Sequence, residues 1–515
     1  MAISKKIVAG INNPHLFRLI SLVINVLFIV PSALYITNYP MKIAFVWGIY
    51  LIAKDFFFER RMFTARFWPI LFFFGVGFAF SVFLNFPYQF PDTAINWVYA
   101  MQAVFLVYPF SFSEGKENQM WMKRFNDCFI GLIFILGALS LILYAFSIHY
   151  WVLDGTQTYW QRQGFIENRL FGLYTSPNLG SALGAVSVAA SLVNNVLKRG
   201  NWRHFQKLYV ANAIVQYLYF ILASSRGTTL ALIAAGILFL LYRGGQLLQS
   251  ASPAHFGKRI GKTILVIFLV ISVNGSVAKV LSYVPIVNQG LYLLATDANF
   301  REEFLSAERQ KNGKKLSDVI AAPVKIHHDD GNEEVSAGRL GIWKSGLKAM
   351  KQRPLFGLAD ADLYRRMKPD EVTDQVNMSQ LSTSERASLK RAMGNMHSSY
   401  VALLVKTGGI GFLLMGGFMV SYLLSHLKNL FFKDWNKDWN VDKDQKTLAA
   451  ILLITLMSLL VLDLVENHFI LSNRDPIGWV FWTYAGFLNV VAYKQGFSNP
   501  CCPKWAVEKF RFHKK

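Results

Sequence analysis

The sequence predicts an all-α integral membrane protein with about twelve transmembrane helices and a large, partly helical extracytoplasmic loop between the ninth and tenth. Three observations predict it: an apolar composition, a succession of apolar runs of membrane-spanning length, and a side-to-side alternation of basic charge. Of 515 residues, 53% are hydrophobic, 15% aromatic and only 16% charged, a profile of polytopic membrane proteins rather than soluble enzymes. A helix needs about 20 apolar residues to cross the hydrocarbon. Runs that meet or approach this lie at 17–37, 41–58, 67–85, 93–113, 127–150, 172–196, 207–223, 226–243, 262–283, 398–425, 447–466 and 477–493. The first run is long, has no small-residue cleavage site and reads as a retained helix rather than a signal peptide.

The net charge of +22 would fit a nucleic-acid binder, but its placement argues otherwise. With a cytoplasmic N-terminus, the inner segments hold roughly 29 Lys and Arg against about five, Lys42, Arg162, Arg169, Arg226 and Arg474, in the short outer loops. That bias orients the chain with both termini inside, and much of the charge is a topology signal with attraction to anionic lipid. Of the three cysteines, Cys128 lies at the inner end of a run and Cys501 and Cys502 in the inner tail. No disulfide framework is expected, and no Cys/His spacing resembles a zinc site.

These boundaries divide the chain into N-terminal transmembrane helices (1–165), helices bearing outer-face arginines (166–283), the extracytoplasmic loop (284–397), and C-terminal helices with a basic tail (398–515). The loop reads as folded. Residues 299–317 carry acids before bases on a helix-compatible stretch, which complements the helix dipole. Leu340, Trp343, Leu347 and Met350 recur at helical spacing, and Pro354 closes that helix. Ser382-Thr383-Ser384-Glu385 is a capping box that opens another helix. The stretch 327–334, with His327 and His328, reads as a solvated turn, and 368–381 as a loose connection.

The residues that carry chemistry gather on the outer side. His397, in Asn395-Met396-His397-Ser398-Ser399-Tyr400, sits where the polar loop meets an apolar helix. It could cap that helix or, as a group tunable near neutral pH, take a proton. Arg226 opens the eighth run on the arginine-poor side, where it either snorkels to headgroups or binds phosphate through a bidentate fork that lysine lacks. Arg339 opens the amphipathic helix of the loop. Arg169 precedes Pro177-Asn178, a broken helix start that marks a cavity at the outer end of the sixth run. Asp463 and Glu466, one turn apart, need partners at membrane depth; they orient an arginine or an acceptor hydroxyl, or form a structural pair. Gly408-Gly409-Ile410-Gly411 lacks the strand–turn–helix context of a nucleotide loop and reads as small residues for helix packing.

Together these pieces resemble the O-antigen ligase and polysaccharide polymerase superfamily. The matching motifs, over about 165–425, are Arg169 with Gly172 and Pro177-Asn178, Ser225-Arg226-Gly227, Arg339 with Trp343, Pro354-Leu355-Phe356-Gly357, the His397 segment, and the Gly408–Gly411 run. Where the family often has His-Asn, this chain has His397-Ser398, whose hydroxyl can still hydrogen-bond. The resemblance implies a metal-independent, inverting glycosyltransferase without a cofactor, at the outer face of a bacterial cytoplasmic (inner) membrane. Its donor would be a polyprenyl-diphosphate-linked oligosaccharide and its acceptor a glycan. His397 would be the base, Arg226 and Arg339 the diphosphate ligands, and Arg169, Asn178, Asp463 and Glu466 further substrate contacts. A flippase and a chain-length regulator would be its partners, with no nucleic acid. The reading is a polymerase of lipid-linked repeat units. The alternative is a ligase that hands the glycan to lipid A core or a protein. A transporter would carry polar residues at the midplane rather than at the rim, and a scaffold leaves the Arg/Arg/His set unexplained.

Overall fold

The computed structural model describes residues 2–86, 90–112, 114–153, 160–199, 206–250, 253–296, 324–326, 338–360, 381–392, 395–428, 430, 443–468 and 475–493. Helix underlies each of the twelve apolar runs: α1 Ala2–Ile11, α2 Pro14–Phe28, α3 Leu34–Lys54, α4 Trp68–Leu84, α5 Phe90–Gln102, α6 Gly115–Ala145, α7 Pro177–Arg199, α8 Lys207–Ala223, α9 Arg226–Ser250 and α10 Pro253–Thr296, then α11 Arg339–Met350 and α12 Thr383–Ala392 in the segment expected to be the loop, and α13 Ser399–Leu427, α14 Lys443–Leu462 and α15 Pro476–Tyr493. Among the described residues, five helices are long and apolar enough to cross a membrane by length and composition. The pair Pro14–Phe28 and Pro31–Glu59, bent by 114°, brings this to six; Trp68–Leu84, Lys207–Ala223 and Pro476–Ala492 are apolar but shorter. The molecule is thus a helical membrane protein.

Proline sets the sharp bend. Pro31 has no N–H to continue the helix, and the Ile29 carbonyl left at the break accepts the Thr175 N–H at 3.1 Å. Arg18 lies inside α2, is buried, and donates to the Val107 and Leu106 carbonyls at 3.0 and 2.9 Å. These carbonyls end the π-helical turn Ala103–Val107 that continues α5, where intrahelical partners run out.

The all-α expectation needs one correction. A three-stranded antiparallel sheet, β1 Tyr150–Leu153, β2 Trp160–Ile166 and β3 Arg169–Gly172, follows α6. Tyr150 pairs with Gln163 and Phe165 with Leu170. Aromatic and β-branched residues in short alternation favour strands. Gly164, at φ +89°, lets β2 turn under the Ile148 carbonyl, where a Cβ would collide. The sheet is fastened to α8 because the Tyr219 hydroxyl donates to the Leu170 and Phe171 carbonyls at 3.2 and 3.0 Å.

Between α10 and α13, α11 and α12 form as the spacing and the capping box predict. The Ser382 N–H donates to the Glu385 carboxylate at 2.7 Å and the Glu385 N–H to the Ser382 hydroxyl at 3.3 Å. Lys348 of α11 pairs with Glu385 of α12 at 2.9 Å. The helix expected at 299–317, the turn at 327–334 and the C-terminal tail with Cys501 and Cys502 lie outside the described residues.

The glycines of α13 do more than pack helices, which corrects the reading of that run. At Gly408 (φ 64°, ψ −168°) the helix breaks. The stretch 354–359, after α11, pairs with the break through its main chain. Leu358 and Ala359 N–H groups donate to the Val405 and Lys406 carbonyls at 2.8 and 2.9 Å, and Gly409 and Ile410 donate to Pro354 and Leu355 at 2.8 and 3.1 Å. At Gly357 (φ +71°) and Gly408 a Cβ would collide with the facing backbone, so only glycine permits this approach. From α4, the Ser81 hydroxyl donates to the Lys406 carbonyl at 2.7 Å and Asn85 Nδ2 to the Gly357 carbonyl at 3.1 Å. Irregular backbone at membrane depth is satisfied here by protein.

Candidate functional site

The site is built on the turn Asp463–Glu466 that follows α14. Glu466 is buried, and one oxygen, Oε1, accepts from Asn178 Nδ2 at 2.9 Å and from Arg339 Nη2 at 3.1 Å. Asn178, in the first turn of α7, accepts in turn from Arg169 Nη2 at 2.5 Å. Arg169, at the start of β3, also donates through Nε to the Ala223 carbonyl at 2.9 Å. A cation is well placed there, because the last carbonyls of α8 carry the negative end of the helix dipole. The chain Ala223–Arg169–Asn178–Glu466–Arg339 thus joins the ends of four helices and a strand. The carboxylate meets two donors, one of them cationic, as a buried charge requires.

The His397 segment is tied to the same turn. The Ser399 N–H donates to the Asp463 and Glu466 carbonyls at 3.0 and 2.9 Å, and its hydroxyl donates to the Asp463 carboxylate. Ser398 donates to the Asp463 carbonyl at 3.4 Å. On the other side, Trp343 Nε1 of α11 donates to the Met396 carbonyl at 2.7 Å, which fixes the helix that carries Arg339 against the histidine. His397 itself is left-handed, with φ 48°, a conformation that costs a non-glycine residue about 1–3 kcal/mol. Its N–H donates to Asn395 Oδ1 at 2.8 Å, an Asx-type contact that supports the turn. Nδ1 is buried and has no hydrogen-bond partner among the described residues.

Burial lowers the proton affinity of His397 below its ordinary value; the Arg339 and His468 charges add to this and Glu466 opposes it. The imidazole is therefore neutral at pH 7 and able to accept a proton.

Of the seven residues singled out in the sequence, Arg169, Asn178, Arg339 and Glu466 share one hydrogen-bonded chain, with His397 beside it. Asp463 is fully buried and accepts from the Ser399 hydroxyl. Arg226 is exposed at the start of α9. Its neighbour Gly227 lies on the same turn, where a Cβ would stand 3.4 Å from side-chain carbons of Leu462, Val465 and Glu466. The sequence reading missed Ser399, and also His468, whose Nδ1 lies 2.7 Å from Asp475 Oδ2. A histidine two residues beyond Glu466, on the arginine-poor side, was the available signal.

Residues 211–416 match the model of a family described as O-Antigen ligase. The matched stretch contains Arg226, Arg339 and His397; Arg169, Asn178, Asp463 and Glu466 lie outside it. Over 221 residues the chain is 24% identical to an uncharacterized protein of Haemophilus influenzae (strain ATCC 51907 / DSM 11121 / KW20 / Rd). The match covers 42% of this chain and 48% of that protein, so it spans about half the relative's length.

Proposed function

We propose, from the match of residues 211–416 to the model of a family described as O-Antigen ligase, that this protein is a membrane glycosyltransferase. It polymerises polyprenyl-diphosphate-linked oligosaccharide repeat units at the outer face of the cytoplasmic membrane. The observation that carries this reading is a buried base, His397, beside a carboxylate, Glu466, that holds Arg339 directly and Arg169 through Asn178. A hydroxyl of the acceptor glycan attacks the anomeric carbon from the face opposite the carrier. The bond from that carbon to the diphosphate oxygen breaks, and its electron pair leaves on the diphosphate. His397 takes the hydroxyl proton. Arg226 and Arg339 meet the phosphate oxygens; fixed cations aimed at developing charge are worth several kcal/mol, about 3–4 for one good donor. A guanidinium carries five N–H donors, so the contact of Arg339 with Glu466 through Nη2 is compatible with a phosphate on its other edge. Arg169 is a further contact on the same chain. A flippase that delivers the donor and a chain-length regulator are the partners this chemistry asks for.

The family's description as ligase favours a second reading, transfer of a finished glycan to lipid A core or a protein. Deletion of the gene separates the two. Single repeat units accumulate on the carrier if the protein polymerises, and full-length polymer on the carrier if it ligates. Unchanged envelope glycans would remove both readings. At the residue level, Arg226→Lys keeps the charge and loses the fork, so transfer should fall by at least about tenfold; near-normal turnover would take Arg226 out of the phosphate role. A folded, inserted His397→Ala protein that still works would end the base proposal.

A further inference from the structure

His468 and Asp475 form a second titratable pair beside the site, and the mechanism above does not use them. His468 is 6% exposed. Its main-chain N–H donates to the Ser399 hydroxyl at 3.2 Å, two residues from His397. Asp475 precedes α15 and is held at both oxygens: Oδ1 accepts the Ile477 N–H at 2.8 Å, which caps the helix, and Oδ2 faces His468 Nδ1 at 2.7 Å. The ring is therefore fixed in orientation. Its other nitrogen, Nε2, is buried and has no hydrogen-bond partner among the described residues. A buried polar nitrogen without a partner is costly to fold, and at a reaction centre it marks where a ligand atom belongs.

Resting on the transferase reading, we infer that His468 is a second histidine of the reaction centre, directed by Asp475, whose Nε2–H donates to an oxygen of the departing diphosphate. The carboxylate at Nδ1 fixes which nitrogen is left to meet a ligand and favours the charged ring. The groups around it agree. Burial acts against charge on His468. Asp475 in front of α15, with Asp463 and Glu466 on the turn after α14, outweighs burial and raises the pKa to about 9. His397, before α13, is depressed first by burial; Glu466 opposes this, and Arg339 of α11 and His468 add to it as like charges. Two histidines beside one turn thus differ, one neutral and one cationic, the pattern that separates a base from an electrostatic donor. The step balances without a further reactant. The acceptor hydroxyl proton passes to His397 and the electron pair of the broken carbon–oxygen bond stays on the diphosphate. His468 lends a hydrogen bond and keeps its own proton.

The test uses the full-length protein in lipid nanodiscs, a polyprenyl-diphosphate-linked oligosaccharide as donor and the matching acceptor glycan, with kcat and KM followed from pH 6 to 10 (a window estimated around the ordinary and shifted histidine range). In the wild type, kcat should fall through an alkaline limb near pH 9, where His468 loses its proton. His468→Ala should lose about a hundredfold in kcat, with acceptor KM within about twofold. His468→Gln should restore part of the rate, because an amide still donates, and should lack the limb. Asp475→Asn should move the limb to lower pH. A purely structural cross-link would lower the yield of folded protein and leave the limb in place. If His468→Ala does not fold, the Gln and Asn variants carry the test alone. His468→Gln with wild-type kcat and limb, or Asp475→Asn with an unmoved limb, overturns the inference while an inactive His397→Ala leaves the transferase reading standing. A wild type that transfers no glycan from this donor overturns both.

Discussion

Glu466 decides the electrostatics of the site, because one of its oxygens serves Asn178 and Arg339 together. It also acts on His397 with the opposite sign to Arg339, which gives a paired prediction. Glu466→Gln removes an anion that favours imidazolium, so the pKa of His397 falls and the acid limb of transfer moves to lower pH. Arg339→Gln removes a cation that opposes imidazolium, so the limb moves to higher pH. A pH profile of kcat/KM with the lipid-linked donor reads both, and displacements in the same direction would exclude His397 as the titrating base. The arginines, the histidine and Glu466 were legible in the sequence because charge on the arginine-poor side of a membrane is costly without purpose. The His468–Asp475 pair was not, since six residues separate its members and their pairing is made by the fold. Nor does position alone tell that Asp463 faces Ser399 while Glu466, three residues on, faces Asn178 and Arg339.

Helix periodicity and apolar length located the helical elements well, because a segment in hydrocarbon must satisfy its own backbone. They failed where the backbone is satisfied from elsewhere. The strands β1 to β3 are too short to announce themselves beside a long apolar run that ends at 150, and the break in α13 hides inside an otherwise continuous span. Alanine separates these cases. Gly408→Ala would place a Cβ against the Gly357 N–H in a conformation nearly exclusive to glycine, and should destabilise by about 1–3 kcal/mol or more. Gly409→Ala, whose Cβ would stand 3.4 Å from the Pro354 carbonyl, should be near neutral, since alanine is the better helix former. Thermal unfolding of the two variants in the same detergent makes the comparison. Equal melting temperatures would mean that the break is not a constraint. At the start of α12, Ser382→Ala should cost about 1 kcal/mol of local stability, seen as faster proteolysis of that helix.

For the whole molecule, charge asymmetry reads orientation directly, and this is testable apart from any chemistry. In a background with Cys128, Cys501 and Cys502 changed to serine, Ser384→Cys on the exposed part of α12 should react with a membrane-impermeant maleimide on intact cells. Lys116→Cys, exposed in the first turn of α6, should react only after permeabilisation. The reverse pattern would invert the topology and move the site to the cytoplasmic face. The hydrophobic pattern sets an expectation of which segments cross and which way, but it says nothing of how the segment before α13 meets the bundle, because that junction is made by carbonyls and amides common to every residue. Such a junction carries little side-chain information. A library randomised at Leu355, 61% exposed, should return a broad range of functional side chains, whereas one randomised at Gly357 or Gly408 should return glycine almost alone. Where the outer segment joins α13, sequence drift is thus channelled away from two positions and left nearly open at their neighbours.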